Sequence, residues 1–393
     1  MRDGKSVTHF TSLFKRVINN MKERNPFLKY GYLGPEFFAD RKQETEMVAR
    51  TLLGGGNVTL LSPRRMGKTG LIMNVFHTMR QTHGDAVFIY LDIFATRSFK
   101  EMVQQMAEAV LDVMQRRGEK LLSHLLTMLA SLRPQLTFDP LTGSPQFTVT
   151  IEPDQSQHTL KQLFDYMEQS GQECFVAIDE FQQVARYQDK NAEAMLRSYI
   201  QFLRNVHFVF SGSSRHLMSE MFLSARRPFF QSTTILDLKP IDREAYASFA
   251  QQFFERRGDT LSSTAFDDIY DRFQGHTWYV QSVLNKLYDT ESAVTDSRQV
   301  DLAVLALIQE NSGIYENIVT TLTDNQLGLM RALARRGPVT EINGSSFVRA
   351  CGLKSSSSVN SALKSLIDKE LVYHDHGQYS VYDRFMALWL RSH

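Results

Sequence analysis

The run Ser62-Pro63-Arg64-Arg65-Met66-Gly67-Lys68-Thr69 follows a short apolar stretch at 58–61 and precedes Leu71, Ile72, Val75, Phe76 and Met79 at helical spacing. Strand, tight loop and helix start, in that order, aim backbone N–H groups and a positive helix end at a polyphosphate. In such a loop Gly67 lets the backbone approach closely, Lys68 reaches the β and γ phosphates, and the Thr69 hydroxyl holds Mg²⁺. The backbone of Pro63, Arg64, Arg65, Met66, Gly67, Lys68, Thr69 and Gly70 forms the cradle. The general form of this Walker A loop opens on glycine, and here Ser62 stands at that position. A second constellation is Phe175-Val176-Ala177-Ile178-Asp179-Glu180, an apolar strand that delivers two acids at its C-terminal end, as a Walker B strand does. Ligands of open α/β sheets bind at that end of the strands. Asp179 would anchor the metal shell and Glu180 would orient or deprotonate the attacking water. Ser211-Gly212-Ser213-Ser214 follows the next apolar run, so that Ser213 either senses the γ-phosphate or belongs to a plain turn. Asp92, after Leu91, either lines the same cleft or begins a turn.

The elements that must position these residues are legible as alternating patterns. Val58–Leu61, Ala86–Leu91, Cys174–Ile178, Val206–Phe210 and Thr234–Leu238 read as five short buried strands with helical segments between them. This alternation predicts a doubly wound parallel sheet. Ser98-x-x-Glu101 is a capping box opening a long helix through Val103, Met106, Val110 and Met114. Residues 133–158 break the rhythm, and the alternation of Gln146 to Ile151 predicts an inserted arm or hairpin. Helical spacing from Asp242 to about Gln309 predicts a small helical domain. Beyond it, helices around 326–335, 345–350 and 358–369 precede a hairpin with Gly377 in its turn, which is the winged-helix order. At the other end, Phe10, Leu13, Phe14, Val17, Ile18 and Met21 predict a basic amphipathic helix that docks on its own core, a partner or a membrane surface. The domain boundaries that follow are an N-terminal arm at 1–30, a P-loop core at 31–240, a helical lid at 241–315 and a winged helix at 316–393.

Composition removes whole classes of function. The 393 residues are 42% hydrophobic and 22% charged, which excludes disordered, collagenous and coiled-coil rod readings. The formal charge of +1 gives no global field for nucleic acid or anionic lipid. The two cysteines, Cys174 and Cys351, have no metal-ligand or disulfide-framework spacing and point to a reducing, cytoplasmic setting. No apolar run approaches the length of a membrane span, and MRDGKSVTHF has no signal core.

Several segments together carry a resemblance: Asn25-Pro26-Phe27, Phe37-Phe38-Ala39-Asp40-Arg41, Pro63 to Thr69, Ile178-Asp179-Glu180-Phe181, Phe210 to Ser214, and the late Tyr379-x-Val381-x-Asp383. From about residue 25 onward the chain resembles the archaeal-type ATPases, a branch of the AAA+-like P-loop NTPases related to the STAND signalling ATPases. The resemblance implies ATP and Mg²⁺ as cofactors, strand order 5-1-4-3-2, a helical lid and a C-terminal winged helix. It also implies that Arg41, followed by Glu44, lies near the adenine side. Leu223-Ser224-Ala225-Arg226-Arg227 is similar to a Gly-Arg-Arg segment of the family, which makes Arg226 or Arg227 an arginine finger or sensor.

Three functions remain open at this level: an ATP-hydrolysing, Mg²⁺-dependent ATPase, a slowly turning STAND-like switch working through protein contact or homo-oligomer formation, and an ATP-gated DNA-binding protein. Residues 323–393 hold nine Lys/Arg against six Asp/Glu. Their presumed recognition helix offers Ser355 to Ser358, Asn360, Ser361 and Lys364 but no arginine for guanine readout. Protein contact or intramolecular packing is therefore as well supported as DNA contact. His374 and His376 flank the wing turn without a third metal ligand.

Overall fold

The computed structural model describes residues 24–128, 133–138, 145–290, 293–375 and 377–392. The amphipathic segment at 7–21 lies outside them. The described chain divides into two compact units, one from Gly31 to Lys239 and the other joining the segment up to Tyr30 with the chain from Pro240 onward.

The first unit is built on a five-stranded sheet. Its chain order is α1 (Lys42–Leu53), β1 (Val58–Leu61), α2 (Lys68–Thr82), β2 (Val87–Asp92), α3 (Phe99–Arg117) and α4 (Glu119–Met128). There follow β3 (Arg133–Phe138), β4 (Pro145–Thr150), α5 (Ser156–Gln169), β5 (Cys174–Asp179), α6 (Ala192–Ile200), β6 (Val206–Gly212), α7 (Arg215–Leu223) and β7 (Thr234–Asp237). The sheet runs β2-β5-β6-β1-β7 with every pair parallel. Counting only its own strands along the chain, that order is 5-1-4-3-2. Both faces are covered, so the strands alternate between two cores. Val87, Ile89, Leu91, Val176 and Ile178 pack under α3 and α5, whereas Phe88, Phe175, Ala177 and Val58 pack under α1 and α2. Burial on both faces is why these strands read as continuous apolar runs.

The inserted segment is a hairpin, with β3 and β4 antiparallel. Val149, which is buried, docks it on α3: Gln104 Nε2 donates to the Val149 carbonyl at 2.9 Å and Val149 N donates to Glu108 Oε1 at 2.9 Å.

The second unit continues with α8 (Arg243–Arg256), β8 (Thr260–Leu261), α9 (Ser263–Arg272), α10 (Thr277–Thr290), β9 (Ala293–Val294) and α11 (Ser297–Thr320). After these come α12 (Asp324–Arg336), α13 (Ser345–Ala350), α14 (Ser356–Asp368), β10 (Val372–Asp375), β11 (Gln378–Val381) and α15 (Arg384–Ser392). Helices α12 to α14 and the antiparallel hairpin form the winged helix, with an added bridge between Val339 and Tyr379. Position 315/316, the lid boundary drawn from sequence, lies inside α11. Helix α15 has no counterpart in the sequence reading, which ends on the hairpin and the Tyr379-x-Val381-x-Asp383 motif. Its spacing of Phe385, Met386, Trp389 and Leu390 is nevertheless that of a one-sided helix, and all four are buried. No helix among the described residues is long and apolar enough to cross a membrane.

Candidate active site

Parallel register brings the C-terminal ends of all five strands to one edge. Leu61 stands opposite Gly212 and Asp237, and Asp92 opposite Asp179. Pro63 stops β1 there, and the loop turns into α2 through Arg65 and Gly67, both at positive φ (65° and 91°). Gly67 meets that demand without a steric cost, while Arg65 carries it as backbone strain. Glycine at its N-cap gives α2 no side-chain cap among the described residues, so its first turn presents backbone N–H groups at the loop. Gly70 lies in the first turn, where a Cβ would come within 3.0 Å of the Phe38 ring.

Lys68 is buried and folds back over the loop. Its Nζ lies 3.2 Å from the Ser62 carbonyl, 3.2 Å from Ser62 Oγ and 3.1 Å from the Pro63 carbonyl. Burial pushes the ammonium down to about 8, with Arg64 adding to the fall and Asp179 and Glu180 opposing it. Thr69, exposed, donates its hydroxyl to Asp179 Oδ2 at 2.8 Å, which joins the loop to the acidic strand. Asp179 is buried, and its Oδ2 also accepts the Tyr90 hydroxyl at 3.0 Å. Burial and that carboxylate together push the Tyr90 phenol up, so it stays a proton donor.

Glu180 sits in the left-handed region at φ 56°, and its Oε2 accepts the Ser213 hydroxyl at 2.7 Å and the Gln182 side-chain amide. Ser213 Oγ in turn accepts from Arg64 Nε at 3.1 Å, and the Arg64 guanidinium lies 5.5 Å from the Phe94 ring centre. Met66 is buried beneath the loop, while Pro63 is half-buried and Arg65 exposed. Arg64, Ser213, Glu180, Asp179 and Thr69 thus form one hydrogen-bonded chain, with Lys68 beside it on Ser62 and Pro63.

Arg41 stands just before α1 at φ 65°, almost fully buried. Its Nη1 pairs with Glu44 at 2.8 Å and its Nη2 has no hydrogen-bond partner among the described residues. Its segment meets α2 through Tyr32, which contacts Phe38 and donates to Asn74 Oδ1 at 2.9 Å, and through Asn74, which donates to Thr45 at 3.1 Å. Arg226 is exposed on the turn after α7, and no hydrogen bond or ion pair among the described residues joins it to the loop. Arg227 pairs with Glu193 at 2.8 Å and with Glu220 at 3.7 Å. Asp92 Oδ1 accepts the Phe94 N–H at 2.8 Å, which begins a turn, and its position opposite Asp179 also sets it at the edge where the strands end. Cys174 is buried in the strand core, and desolvation pushes its thiol up to about 12. His374 stacks on Tyr379, His376 lies outside the described residues, and no group of three metal-ligating side chains occurs among those described.

Two participants were not found from sequence. Gln182, two residues past Glu180, had a proximity signal; Tyr90, acting across 89 positions, had none.

The sheet order, the loop after the first strand and the acids after the third define a P-loop nucleotide-binding protein. A family model described as "ATPase domain predominantly from Archaea" matches residues 38–283, and the chain belongs to that family. A second model, described as "Probable winged helix domain", matches residues 313–392. No curated protein matches in sequence. Among solved structures, a Walker-type ATPase of Pyrococcus abyssi is similar at 16% identity and TM-score 0.63, covering 93% of this chain and 99% of that one. The ORC2 protein of Aeropyrum pernix, solved as ADPNP-ADP complexes, is similar at 16% identity and TM-score 0.56, covering 94% and 96%. At such identities the likeness concerns the fold.

Proposed function

We propose that this protein binds ATP with Mg²⁺ at the loop of residues 63–70 and hydrolyses it. The observation that carries this reading is the Thr69–Asp179 contact of 2.8 Å, which sets a hydroxyl and a carboxylate side by side beneath an uncapped helix start, with Glu180 next in the chain. Two hard oxygen donors from the protein suit Mg²⁺, which keeps most of its water ligands. Bound there, the ion would supply positive charge to the phosphates. Lys68 would exchange its carbonyl partners for β and γ oxygens, Asp179 would hold the metal's water shell, and Glu180 would take the proton of the attacking water. Ser213 would contact the γ-phosphate, Arg41 would lie toward the adenine, and Arg226, being exposed, would act as a finger on a neighbouring copy.

Turnover with Mg²⁺, followed over protein concentration, tests these roles. Lys68→Ala should lose ATP binding; Glu180→Gln should bind ATP and not turn it over, and unchanged turnover removes Glu180 from the mechanism. A rate rising more than linearly with concentration, lost in Arg226→Ala, supports a shared site in a homo-oligomer.

A slow switch is the second reading, favoured by one observation: Glu180 is already held by Ser213 and Gln182. If those bonds restrain it, Ser213→Ala raises turnover; if Ser213 serves the γ-phosphate, the same change lowers it. The winged helix would carry the partner contact. The exposed face of α14, with Ser356, Ser357, Asn360, Ser361 and Lys364, offers one cation, which supports a protein partner over duplex DNA. Duplex binding with a steep salt dependence would reverse that preference.

A further inference from the structure

A cavity of about 310 Å³ lies in the unit that begins at Pro240, walled by the end of α9, the end of α12, the wing hairpin and α15. Its apolar floor is made by Phe273, Leu333, Pro338, Val381 and Leu388. Its charged lining is one-sided among the described residues: three arginines, Arg272, Arg384 and Arg391, and no carboxylate. Arg272 is neutralised by Asp268 at 2.8 Å and Asp301 at 2.6 Å. The other two stand seven residues, two turns, apart on one face of α15, and neither is paired with a carboxylate among the described residues.

Each of the two guanidinium groups is pinned by one backbone carbonyl. Arg384 Nη1 donates to the Phe273 carbonyl, and Arg391 Nε donates to the Ala334 carbonyl at 2.6 Å near the C-terminal end of α12. A guanidinium has five N–H donors in a rigid fork, so one anchoring bond fixes its plane and leaves the rest for a ligand. Tyr373 and Ser380 add hydroxyls to the wall.

We propose that this cavity binds a small phosphate monoester, its head between Arg384 and Arg391 and its body on the apolar floor. Charge selects the head, because a phosphate monoester near neutral pH carries about −1.5 to −2, which matches two guanidinium groups, whereas a carboxylate carries half of that. The apolar floor selects the source, because Phe273, Leu333, Pro338, Val381 and Leu388 suit the apolar body of a small molecule rather than the polar backbone of a duplex. The ligand would tie the turn after α9 to the winged helix.

Both tryptophans of the chain report on this unit. Trp389 lies on α15 between Leu388 and Arg391, and Trp278 packs on Phe385 of the same helix with ring centres 5.9 Å apart. Phenyl phosphate titrated into the full chain should give a saturable change in tryptophan fluorescence. Arg384→Gln and Arg391→Gln should each weaken it by about tenfold, the loss of a charge-assisted pair. Arg335→Gln, on the exposed side of α12, should leave it unchanged, and so should Lys68→Ala, which keeps the phosphate loop out of the signal. Tyr373→Phe, which retains the ring contact with Tyr382, should weaken it several-fold and tests the site even if the arginine variants do not fold. No saturable change through the millimolar range overturns the proposal, as does binding indifferent to Tyr373 and to both arginines. Arginine-dependent binding of a short DNA duplex without a response to phenyl phosphate overturns it in favour of backbone phosphodiesters.

Discussion

Lys68 is the residue whose state is most sensitive to what fills the loop. Burial sets its ammonium near 8, and its present partners are two carbonyls and a hydroxyl, none of them charged. A polyphosphate stabilises the charged form, so ATP arriving at about pH 8 should bring a proton with it. Above that pH more of the free protein holds neutral Lys68, and affinity should fall with rising pH, approaching tenfold per unit. Calorimetry of ATP binding in two buffers of different ionisation heat reads this directly: the apparent enthalpies should differ at pH 8 and converge in Lys68→Ala at whatever weak binding remains. Identical enthalpies in the wild-type protein would mean that ATP brings no proton, with Lys68 either already charged at pH 8 or outside the phosphate contact, and would overturn this linkage. Gly212 makes a second prediction at this scale. A Cβ there would meet Gln182 Oε1 at 2.3 Å and Met218 Sδ at 2.6 Å, both on buried side chains, so Gly212→Ala should cost about 1–3 kcal/mol in urea unfolding and disturb the hold of Gln182 on Glu180. Lys68, Thr69, Asp179 and Glu180 were legible because a strand, a loop and a helix start are local patterns. Tyr90 was not, because its hydrogen bond to Asp179 depends on which strands are neighbours in the sheet, and side-chain type alone carries no trace of that.

At the scale of elements, the short segment before the sheet does more than connect. Asn25 Nδ2 donates to the Asn285 carbonyl at 2.9 Å and to Asp289 at 2.8 Å, and Asn285 Nδ2 returns a bond to the Phe27 carbonyl at 2.9 Å. These bonds seat Phe27, fully buried, among Phe249, Phe253, Phe254 and Tyr288, with ring centres 5.5 to 6.3 Å away. Residues at the start of the chain thereby complete the core between α8 and α10. Phe27→Ala should leave a cavity that these rings cannot fill and destabilise this unit by about 3–5 kcal/mol, seen as a lowered midpoint of its thermal unfolding. A change below about 1 kcal/mol would mean that the segment merely lies on the surface. The sequence offered Asn25-Pro26-Phe27 as a family-like motif without a task, since its partners lie some 220 to 260 residues further on. The β3–β4 hairpin shows the opposite case: its alternation was readable, whereas its docking through Gln104 and Glu108 of α3 was not, because both residues pass for the polar face of an ordinary helix.

For the whole molecule, the consequence of two units is that the phosphate loop and the tryptophans belong to different ones. The loop, Asp179, Glu180 and Ser213 all lie between Gly31 and Lys239, where the sheet has its own cores on both faces. Both tryptophans, at 278 and 389, lie in the unit from Pro240 onward. A ligand that binds only the folded form stabilises what it binds, by about 2.7 kcal/mol at a hundredfold excess over Kd. For a unit of this size that corresponds to a rise of roughly 5–10 °C in the midpoint. With ATP and Mg²⁺ present, the calorimetric transition of the sheet unit should move up by that amount in the wild-type protein and stay in place in Lys68→Ala. Tryptophan fluorescence should report a separate transition that ATP leaves unmoved. If instead both signals rise together with ATP, the units unfold as one cooperative body, and nucleotide at the loop is energetically felt at the winged helix; that outcome would make the coupling itself, and the partner it serves, the property to explain.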